Sequence, residues 1–161
     1  VLPTFLTQKS GKIVVMSSLS GIIGTPVASS YSASKFALHG YFNALRAEVA
    51  TENVKVSIVC PGPVESEIST KSHRNPNNPH QEEGKKMATE RCTELIMKGL
   101  YYDLDEMWIS EQPFLLMTYI ADYMPFVART LLVKYFGPVR VKAVKSGQNV
   151  YDPKVAFGLS K

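Results

Sequence analysis

The chain has 161 residues, of which 45% are hydrophobic, 20% charged and 10% aromatic, with a formal net charge of +4. These fractions are ordinary for a soluble globular chain, so they exclude intrinsic disorder, a collagen-like repeat and a small disulfide-rich scaffold. The two cysteines, Cys60 and Cys92, have neither a CxxC spacing nor a zinc-ligand spacing, so we expect reduced thiols and no structural metal.

The first half of the chain predicts two strands joined by a helix. Residues 12–17 are rich in β-branched side chains, which is typical of a buried strand, and residues 18–30 have the serine, glycine and proline content of a loop. A long helix is predicted over residues 31–51, and a second strand over residues 54–60, where Pro61 stops it. A strand, a helix and a strand in this order favour a parallel sheet with a right-handed crossover.

The predicted helix over residues 31–51 has two distinct faces. Ser29 or Ser30 is expected to cap its first turn. Apolar residues that recur at three- and four-residue steps predict a buried stripe, formed by Leu38, Phe42, Leu45 and Val49. Small residues form a narrow second face, to which another backbone can come close: Ala33, Ala37 and Gly40.

The second half of the chain predicts further helices and one more strand. Polar residues 70–84, rich in Asn and Pro, predict a loop. Residues 85–102 then predict a helix, and residues 106–110 a short strand. The pattern over residues 113–136 is helical and apolar with a break near Pro125, and a basic tail follows it.

Three parallel strands are about half of what a doubly wound sheet contains. The predicted fold class is therefore α/β, as the C-terminal half of a doubly wound parallel sheet with a helical C-terminal extension. Residues 1–111 would form the partial domain, and residues 112–161 an apolar helical and basic extension. On this interpretation, most of a dinucleotide site would precede Val1.

Three side chains are expected to meet at the carboxyl ends of the predicted strands, where open α/β sheets bind their ligands. Ser18 follows the first strand, and Tyr31 and Lys35 lie four residues apart on the helix, so they point to one side. A phenol is a poor proton donor at neutral pH, but a neighbouring ammonium group favours its deprotonated form. The Ser18 hydroxyl would hold a substrate oxygen next to the phenol without acting as a nucleophile. The pattern therefore predicts acid–base catalysis by Tyr31.

These residues belong to a longer pattern. Its members are Gly11, Ile13, Val14, Ser17, Ser18 and Gly21, then Tyr31, Ala33, Ser34, Lys35 and Ala37, and then Pro61 and Gly62. With this pattern, residues 1 to about 68 resemble the short-chain dehydrogenase/reductase family, and specifically the catalytic half of its Rossmann-like domain. More narrowly, residues 109–119 together with Met124 and Pro125 resemble a membrane-associated branch of that family.

The resemblance implies a catalytic role for three residues. The serine that matches Ser18 positions the substrate carbonyl or hydroxyl. The tyrosine that matches Tyr31 is the general acid/base. The lysine that matches Lys35 assists the tyrosine and binds the nicotinamide ribose, so Tyr31 and Lys35 are also cofactor-binding candidates.

The resemblance also implies a cofactor and partners. Residues matching Pro61, Gly62 and Val64 line the nicotinamide, and Ser66 matches a position that contacts the cofactor phosphates. NADP(H) is favoured over NAD(H), and the substrate would be a steroid- or retinoid-like carbonyl or alcohol. The resemblance implies localisation at the endoplasmic reticulum membrane, with the cytoplasm as the alternative. A homodimer and a membrane surface are the macromolecular partners it allows, and no nucleic acid is expected.

Two kinds of function stay open at this stage. In the first, the protein is an NAD(P)(H)-dependent oxidoreductase that interconverts a carbonyl and an alcohol on a bulky apolar substrate. In the second, the chain is a catalytically incomplete fragment that acts as a non-enzymatic binding or membrane-associated module, because the nucleotide-binding half is absent. The sequence lacks the glycine-rich phosphate turn of the family, so we expect these residues alone to bind NADPH weakly or not at all.

The apolar segment over residues 114–136 allows three interpretations: core packing, a lid over an apolar substrate, or contact with a membrane surface. Asp122 in its middle weakens the membrane interpretation, whereas Arg129 and Lys134 support it. The longest uncharged stretch there is well short of the ~20 apolar residues that a spanning helix needs. The histidines lack partners at a zinc-ligand spacing, so we expect none to bind a metal: His39, His73 and His80.

Overall fold

The computed structural model describes residues 1–65 and 86–148, which contain three strands and six α-helices. In chain order these are α1 (Leu2–Gln8), β1 (Gly11–Met16), α2 (Ser29–Glu48), β2 (Val54–Pro61), α3 (Thr89–Tyr101), β3 (Glu106–Ile109), α4 (Phe114–Tyr123), α5 (Pro125–Leu131) and α6 (Gly137–Lys145). A 3₁₀ turn at Leu19–Gly21 follows β1, and a π-helical stretch at Leu132–Phe136 joins α5 to α6.

The strands form one parallel sheet in the order β1, β2, β3. Gly11 of β1 is in register with Val54 of β2, and Ile58 of β2 is in register with Glu106 of β3. Residues 56–60 of β2 are all buried, because a central parallel strand is covered on both faces. The predicted α/β fold class and its parallel strand–helix–strand unit are therefore confirmed.

The apolar stripe of α2 packs against the sheet, as predicted. Leu45 and Val49 are buried in one cluster with Ile58 of β2, and the other two residues of the stripe pack against that cluster. Burial of this stripe holds α2 over β1 and β2. Near its start, α2 contacts the end of β1, since Lys35 Nζ donates a hydrogen bond to the Met16 carbonyl oxygen.

The ends of α2 differ from the prediction. The predicted serine cap is wrong, because Ser29 and Ser30 are already helical and Ala28 is the N-cap, which has no side chain to accept a hydrogen bond. The helix also ends at Glu48 rather than at residue 51. The chain turns there, and Asn53 takes a left-handed φ of 55° before β2 begins.

In the second half of the chain, the structure confirms the predicted helix, strand and helix break. The helix and the strand have slightly different bounds from those predicted. α3 begins at Thr89 rather than at residue 85, because Met87 pairs with Val64 in an isolated parallel bridge and keeps the chain extended. The break near Pro125 is confirmed, since Met124 separates α4 from α5. The predicted loop over residues 70–84 lies outside the described residues.

Two helices at the ends of the described chain were not predicted. α1 precedes the first strand, and α6 occupies part of what the sequence indicated as a basic tail. Within the described ranges, no helix is both long and apolar enough to cross a membrane.

Candidate active site

Two neighbouring strands end side by side, and a serine joins their ends. β1 ends at Met16 and β2 at Pro61, and the two strands pair directly. The Ser18 hydroxyl donates a hydrogen bond to the Pro61 carbonyl oxygen at 3.3 Å and accepts one from the Ser20 backbone N–H at 3.1 Å. The second bond caps the 3₁₀ turn, so Ser18 is held at the carboxyl ends of both strands.

The Lys35 side chain reaches the same edge of the sheet from α2. Its Nζ donates a hydrogen bond to the Met16 carbonyl oxygen at 2.9 Å and lies 5.6 Å from the centre of the Tyr31 ring. The buried Ser17 hydroxyl donates to the Lys35 carbonyl oxygen at 3.4 Å, a long hydrogen bond. Tyr31 is 49% exposed. The ammonium group is therefore held between the backbone end of β1 and an accessible phenol ring.

The predicted catalytic residues thus lie around one edge of the sheet. Ser18 contacts the end of β2, and Lys35 contacts the end of β1, two residues before Ser18. Tyr31 is next to the Lys35 ammonium. Their roles in catalysis stay a prediction.

The residues predicted to bind the cofactor lie at the same edge or beyond it. Pro61 is the last residue of β2, and the Gly62 N–H donates to the Ile109 carbonyl oxygen at 2.8 Å. Val64 forms the isolated bridge with the chain just before α3. Ser66 lies outside the described residues.

A second cluster, which we name the His–Cys–Glu cluster, consists of His39 on α2, Cys60 on β2 and Glu106 on β3. His39 Nε2 lies 3.5 Å from Cys60 Sγ, and His39 Nδ1 lies 3.8 Å from Glu106 Oε2. Burial raises the pKa of the Cys60 thiol to about 12, the Glu106 carboxylate also raises it, and the Lys35 ammonium opposes the rise. The thiol is therefore protonated at neutral pH.

Sequence reasoning missed the His–Cys–Glu cluster because its members come from three separate elements. The sequence indicated a reduced thiol at Cys60 and no metal ligation by His39. Cys60 is a free thiol in the structure and is fully buried. The spacing of the three residues along the chain carries no signal of their contact.

The C-terminal helices contact the loop that precedes Tyr31. Arg140 of α6 donates a hydrogen bond from Nε to the Pro26 carbonyl oxygen at 2.9 Å. Pro26 lies between Ser18 and Tyr31 in the chain, so α6 is adjacent to the loop that links the two predicted catalytic residues. This contact was also missed, because it joins residues 114 positions apart.

The sequence has relatives among known proteins. A family model described as short chain dehydrogenase matches residues 1–77. Dehydrogenase/reductase SDR family member 7 of Homo sapiens is 46% identical over 154 residues, which cover 91% of this chain and 44% of the human protein. The Mus musculus protein of the same name is 39% identical over 170 residues, which cover 100% of this chain and 48% of the mouse protein. The chain therefore spans about half the length of the curated relatives that it matches.

A solved structure shares the fold. It is described as the crystal structure of a short chain dehydrogenase from Burkholderia cenocepacia J2315 in complex with NADP. It matches with a TM-score of 0.64 and 25% sequence identity, covering 81% of this chain and 51% of that chain. The family resemblance that residues 1–68 indicated is confirmed, and the relatives named family member 7 extend the similarity over most of the chain. The chain belongs to the short-chain dehydrogenase/reductase family.

Proposed function

We propose that the full-length protein is an NADP(H)-dependent oxidoreductase that interconverts a carbonyl and an alcohol, with Tyr31 as the general acid/base. The observation that carries this proposal is the position of the Lys35 ammonium, between the Met16 carbonyl oxygen and the Tyr31 ring. This position places a cation beside the phenol that would exchange a proton with the substrate oxygen. The names of the relatives and the NADP in the bacterial structure support an enzyme over a non-enzymatic module.

The described residues fit one end of a nicotinamide cofactor. Lys35 and Ser18 offer hydrogen-bond donors at the carboxyl ends of parallel strands, where such ligands bind. The half-exposed Tyr31 phenol is open to a ligand at the same edge. When bound, the nicotinamide supplies or accepts a hydride. Tyr31 and Lys35 would hold the ribose, and the residues that would contact the rest of the group are Pro61, Gly62, Val64 and Ser66.

Each of the three catalytic residues has a distinct task. In carbonyl reduction the Tyr31 phenol donates its proton to the substrate oxygen, and in alcohol oxidation the phenolate accepts it. Lys35 assists Tyr31 and would bind the nicotinamide ribose. The Ser18 hydroxyl steadies the substrate oxygen by donating a hydrogen bond, and for this it must leave the Pro61 carbonyl. That bond is 3.3 Å long, so a substrate oxygen can replace it at little cost.

The proposed substrate is bulky and apolar, such as a steroid- or retinoid-like carbonyl or alcohol. α4 begins shortly after β3, and its Leu116 and Tyr119 are 53% and 44% exposed. The contact between Arg140 and Pro26 brings the C-terminal helices next to the loop before Tyr31. Apolar side chains beside a polar catalytic edge are typical of sites for apolar ligands.

The proposal also includes the domain division, the oligomeric state and the subcellular localisation of the protein. Residues 1–111 would be the catalytic part of the domain, with residues 112–161 as its extension. A homodimer would form through the small-residue face of α2, which is exposed in the single chain and has open space beside Gly40. The proposed localisation is the endoplasmic reticulum membrane, because the sequence resembles the membrane-associated branch of the family.

The substitution Tyr31→Phe tests the assignment, because it keeps the ring and removes the transferable proton. We expect kcat of the full-length protein to fall by roughly 10²–10⁴-fold, the usual contribution of a general acid/base. NADPH affinity should stay nearly unchanged. The readout is NADPH oxidation with a panel of apolar ketones and aldehydes.

Tyr41→Phe is the matched control, because Tyr41 lies on the same helix and is 63% exposed. This variant should keep wild-type kcat. If Tyr31→Phe retains more than a tenth of the wild-type kcat, Tyr31 is not the general acid/base.

A further inference from the structure

The His–Cys–Glu cluster offers three metal-ligand atoms that the proposed reaction does not use. His39, Cys60 and Glu106 each present one ligand atom, and these atoms lie within 4.8 Å of one another. Cys60 is fully buried, whereas the His39 and Glu106 side chains are 13% and 29% exposed. The Cys60 sulfur therefore lies in the protein interior, whereas the Glu106 carboxylate is in contact with solvent. An ion can reach the cluster from the side of the carboxylate.

The separation of the sulfur and the imidazole matches that of two ligands on one tetrahedral ion. Zinc bonds of about 2.3 Å to sulfur and about 2.1 Å to nitrogen place the two ligand atoms roughly 3.5 Å apart. Cys60 Sγ and His39 Nε2 are 3.5 Å apart in the structure. The distance between these two atoms therefore fits two ligands of one ion.

The carboxylate is held close to the same pair. Glu106 Oε2 lies 3.8 Å from His39 Nδ1, and Glu106 Oε1 accepts a hydrogen bond from Trp108 Nε1 at 2.5 Å. Hydrogen bonds of this kind orient the ligands of metal sites from outside. The Glu106 ligand oxygen lies within 4.8 Å of the other two ligand atoms, and this separation must shorten for all three to bind one ion.

The charges and the donor types favour one class of ion. A thiolate and a carboxylate carry two negative charges, which a divalent cation neutralises, and a neutral imidazole adds none. Because the charges of the cation, the thiolate and the carboxylate cancel, the ion can be bound in a largely buried site. A sulfur, a nitrogen and an oxygen donor suit zinc and similar borderline ions, whereas magnesium and calcium prefer oxygen ligands alone.

We propose that His39, Cys60 and Glu106 bind a divalent cation of the zinc class, with a fourth position open to water. Binding replaces the thiol proton of Cys60, which passes to solvent, and forms a metal–sulfur bond without any change in oxidation state. The ion joins α2 to β2 and β3 one helical turn beyond Lys35. It would therefore hold the helix that carries Tyr31 and Lys35 against the sheet.

Cobalt is the probe, because Co²⁺ takes zinc sites and reports its ligands by absorption. The full chain is stripped with a chelator under reducing conditions and titrated with Co²⁺. We expect a thiolate-to-cobalt charge-transfer band, d–d bands of the intensity typical of four-coordination, and loss of both when Zn²⁺ is added. Quenching of Trp108, the single tryptophan of the chain, should follow the same titration.

Variants assign the ligands. Cys60→Ser and His39→Gln should each weaken Co²⁺ binding by about 100-fold or more, and Glu106→Gln by about 10-fold or more. Cys92→Ser is the matched control, since Cys92 is also buried but lies outside the cluster, and it should bind Co²⁺ like the wild type. Circular dichroism confirms that each variant is folded.

X-ray absorption spectroscopy of the Zn²⁺-loaded wild type identifies the atoms bound to the ion. It requires no variant, so it tests the proposal even if a variant fails to fold. We expect one sulfur and two or three nitrogen or oxygen neighbours around the ion. A shell without sulfur, or a Co²⁺ spectrum that persists in Cys60→Ser and disappears in Cys92→Ser, would overturn the proposal. Absence of any charge-transfer band would also overturn it, and would show that the three residues form only a hydrogen-bonded group.

Discussion

At the scale of single residues, Gly62 lies where the ends of β2 and β3 leave no room for a side chain. A Cβ atom added there would lie 2.0 Å from Ser110 Oγ and 2.6 Å from Ser110 Cβ. The hydroxyl can rotate away, but the Ser110 Cβ is fixed by the backbone, so the strand ends would have to separate. We expect Gly62→Ala to lower the free energy of unfolding by about 1–3 kcal/mol, the usual cost of overpacking, as measured by urea denaturation.

Gly24→Ala is the control for this substitution, because a Cβ added at Gly24 meets nothing within 4 Å. The double variant with Gly62→Ala and Ser110→Gly should recover most of the lost stability, since it removes the atoms that clash. An equal loss in Gly24→Ala, or no recovery in the double variant, would show that the clash is not the cause.

At the scale of elements, Asp103 joins the end of α3 to two strands. It forms ion pairs with Lys12 of β1 and Lys55 of β2. Hydrogen bonds from Lys12 first and Lys55 second lower the pKa of Asp103 below its ordinary value of 3.8. The ionised carboxylate therefore stabilises the folded chain above pH 3.8, and this contribution is lost as the pH falls through the lowered pKa.

Asp103→Asn removes the charge and keeps a residue that tolerates the left-handed φ of 54° at this position. We expect the variant to be less stable than the wild type at pH 7, and the difference to shrink steadily once the pH is below 3.8. Urea denaturation at a series of pH values measures it. Added salt should also reduce the difference, since all three groups are in contact with solvent.

Glu94→Gln separates this long-range effect from a local one. Glu94 pairs with Arg91 and Lys98 of its own helix, and these partners lower the pKa of Glu94. Because such pairs act within one helix, their loss should change global stability less than Asp103→Asn does. A difference between wild type and Asp103→Asn that did not vary with pH would contradict the ion-pair account.

The hydrogen bond from Arg140 to Pro26 is a second contact between elements. We expect Arg140→Ala to destabilise the chain by about 1.5 kcal/mol, because hydrogen bonds with a charged partner contribute roughly 1.5–3 kcal/mol. The loss should also be local. Amide hydrogen exchange over residues 22–28 should become faster, while exchange in β2 stays slow.

Lys142→Ala is the matched control for Arg140→Ala, since Lys142 is an exposed cation on the same helix. It should leave exchange over residues 22–28 at the wild-type rate. Equal acceleration in both variants would mean that the charge of α6, and not the bond to Pro26, protects the loop.

At the scale of the whole molecule, apolar and basic side chains share the exposed surface of α4, α5 and the π-helical stretch. Phe126 is 78% exposed and Val133 72%, and the cations Arg129 and Lys134 lie near them in the chain. This combination is typical of helices that lie on anionic membranes. We expect the chain to co-sediment with phosphatidylserine vesicles, less so with phosphatidylcholine vesicles, and less at high salt.

Phe126→Glu combined with Val133→Glu should abolish most of this vesicle binding, because it places charge on the apolar surface. Met97→Glu is the control, since Met97 is 61% exposed on α3. Binding that was equal for both vesicle types, or equally lost in Met97→Glu, would contradict a specific membrane surface.

The helices and strands that could be predicted are those that bury a regular pattern. The stripe of α2 and the apolar run of β2 repeat with the periods of a helix and a covered strand, because each packs against the sheet. α1 has no buried residue and α6 buries only Ala143, so little in their sequences marks them. The failed serine cap at α2 shows that element ends depend on the preceding loop, where the Thr25 N–H donates to Ser32 Oγ at 3.0 Å.

The sequence by itself determined the family, the α/β class and the residues proposed for catalysis, because each depends on residue types at short, regular spacings. Only the tertiary structure decided which groups meet between elements: His39 with Cys60, Arg140 with Pro26, and Asp103 with two lysines. The physical reason is that such contacts depend on how the strands align and how the helices pack on them. Neither the strand alignment nor the helix packing produces a repeating pattern in the sequence.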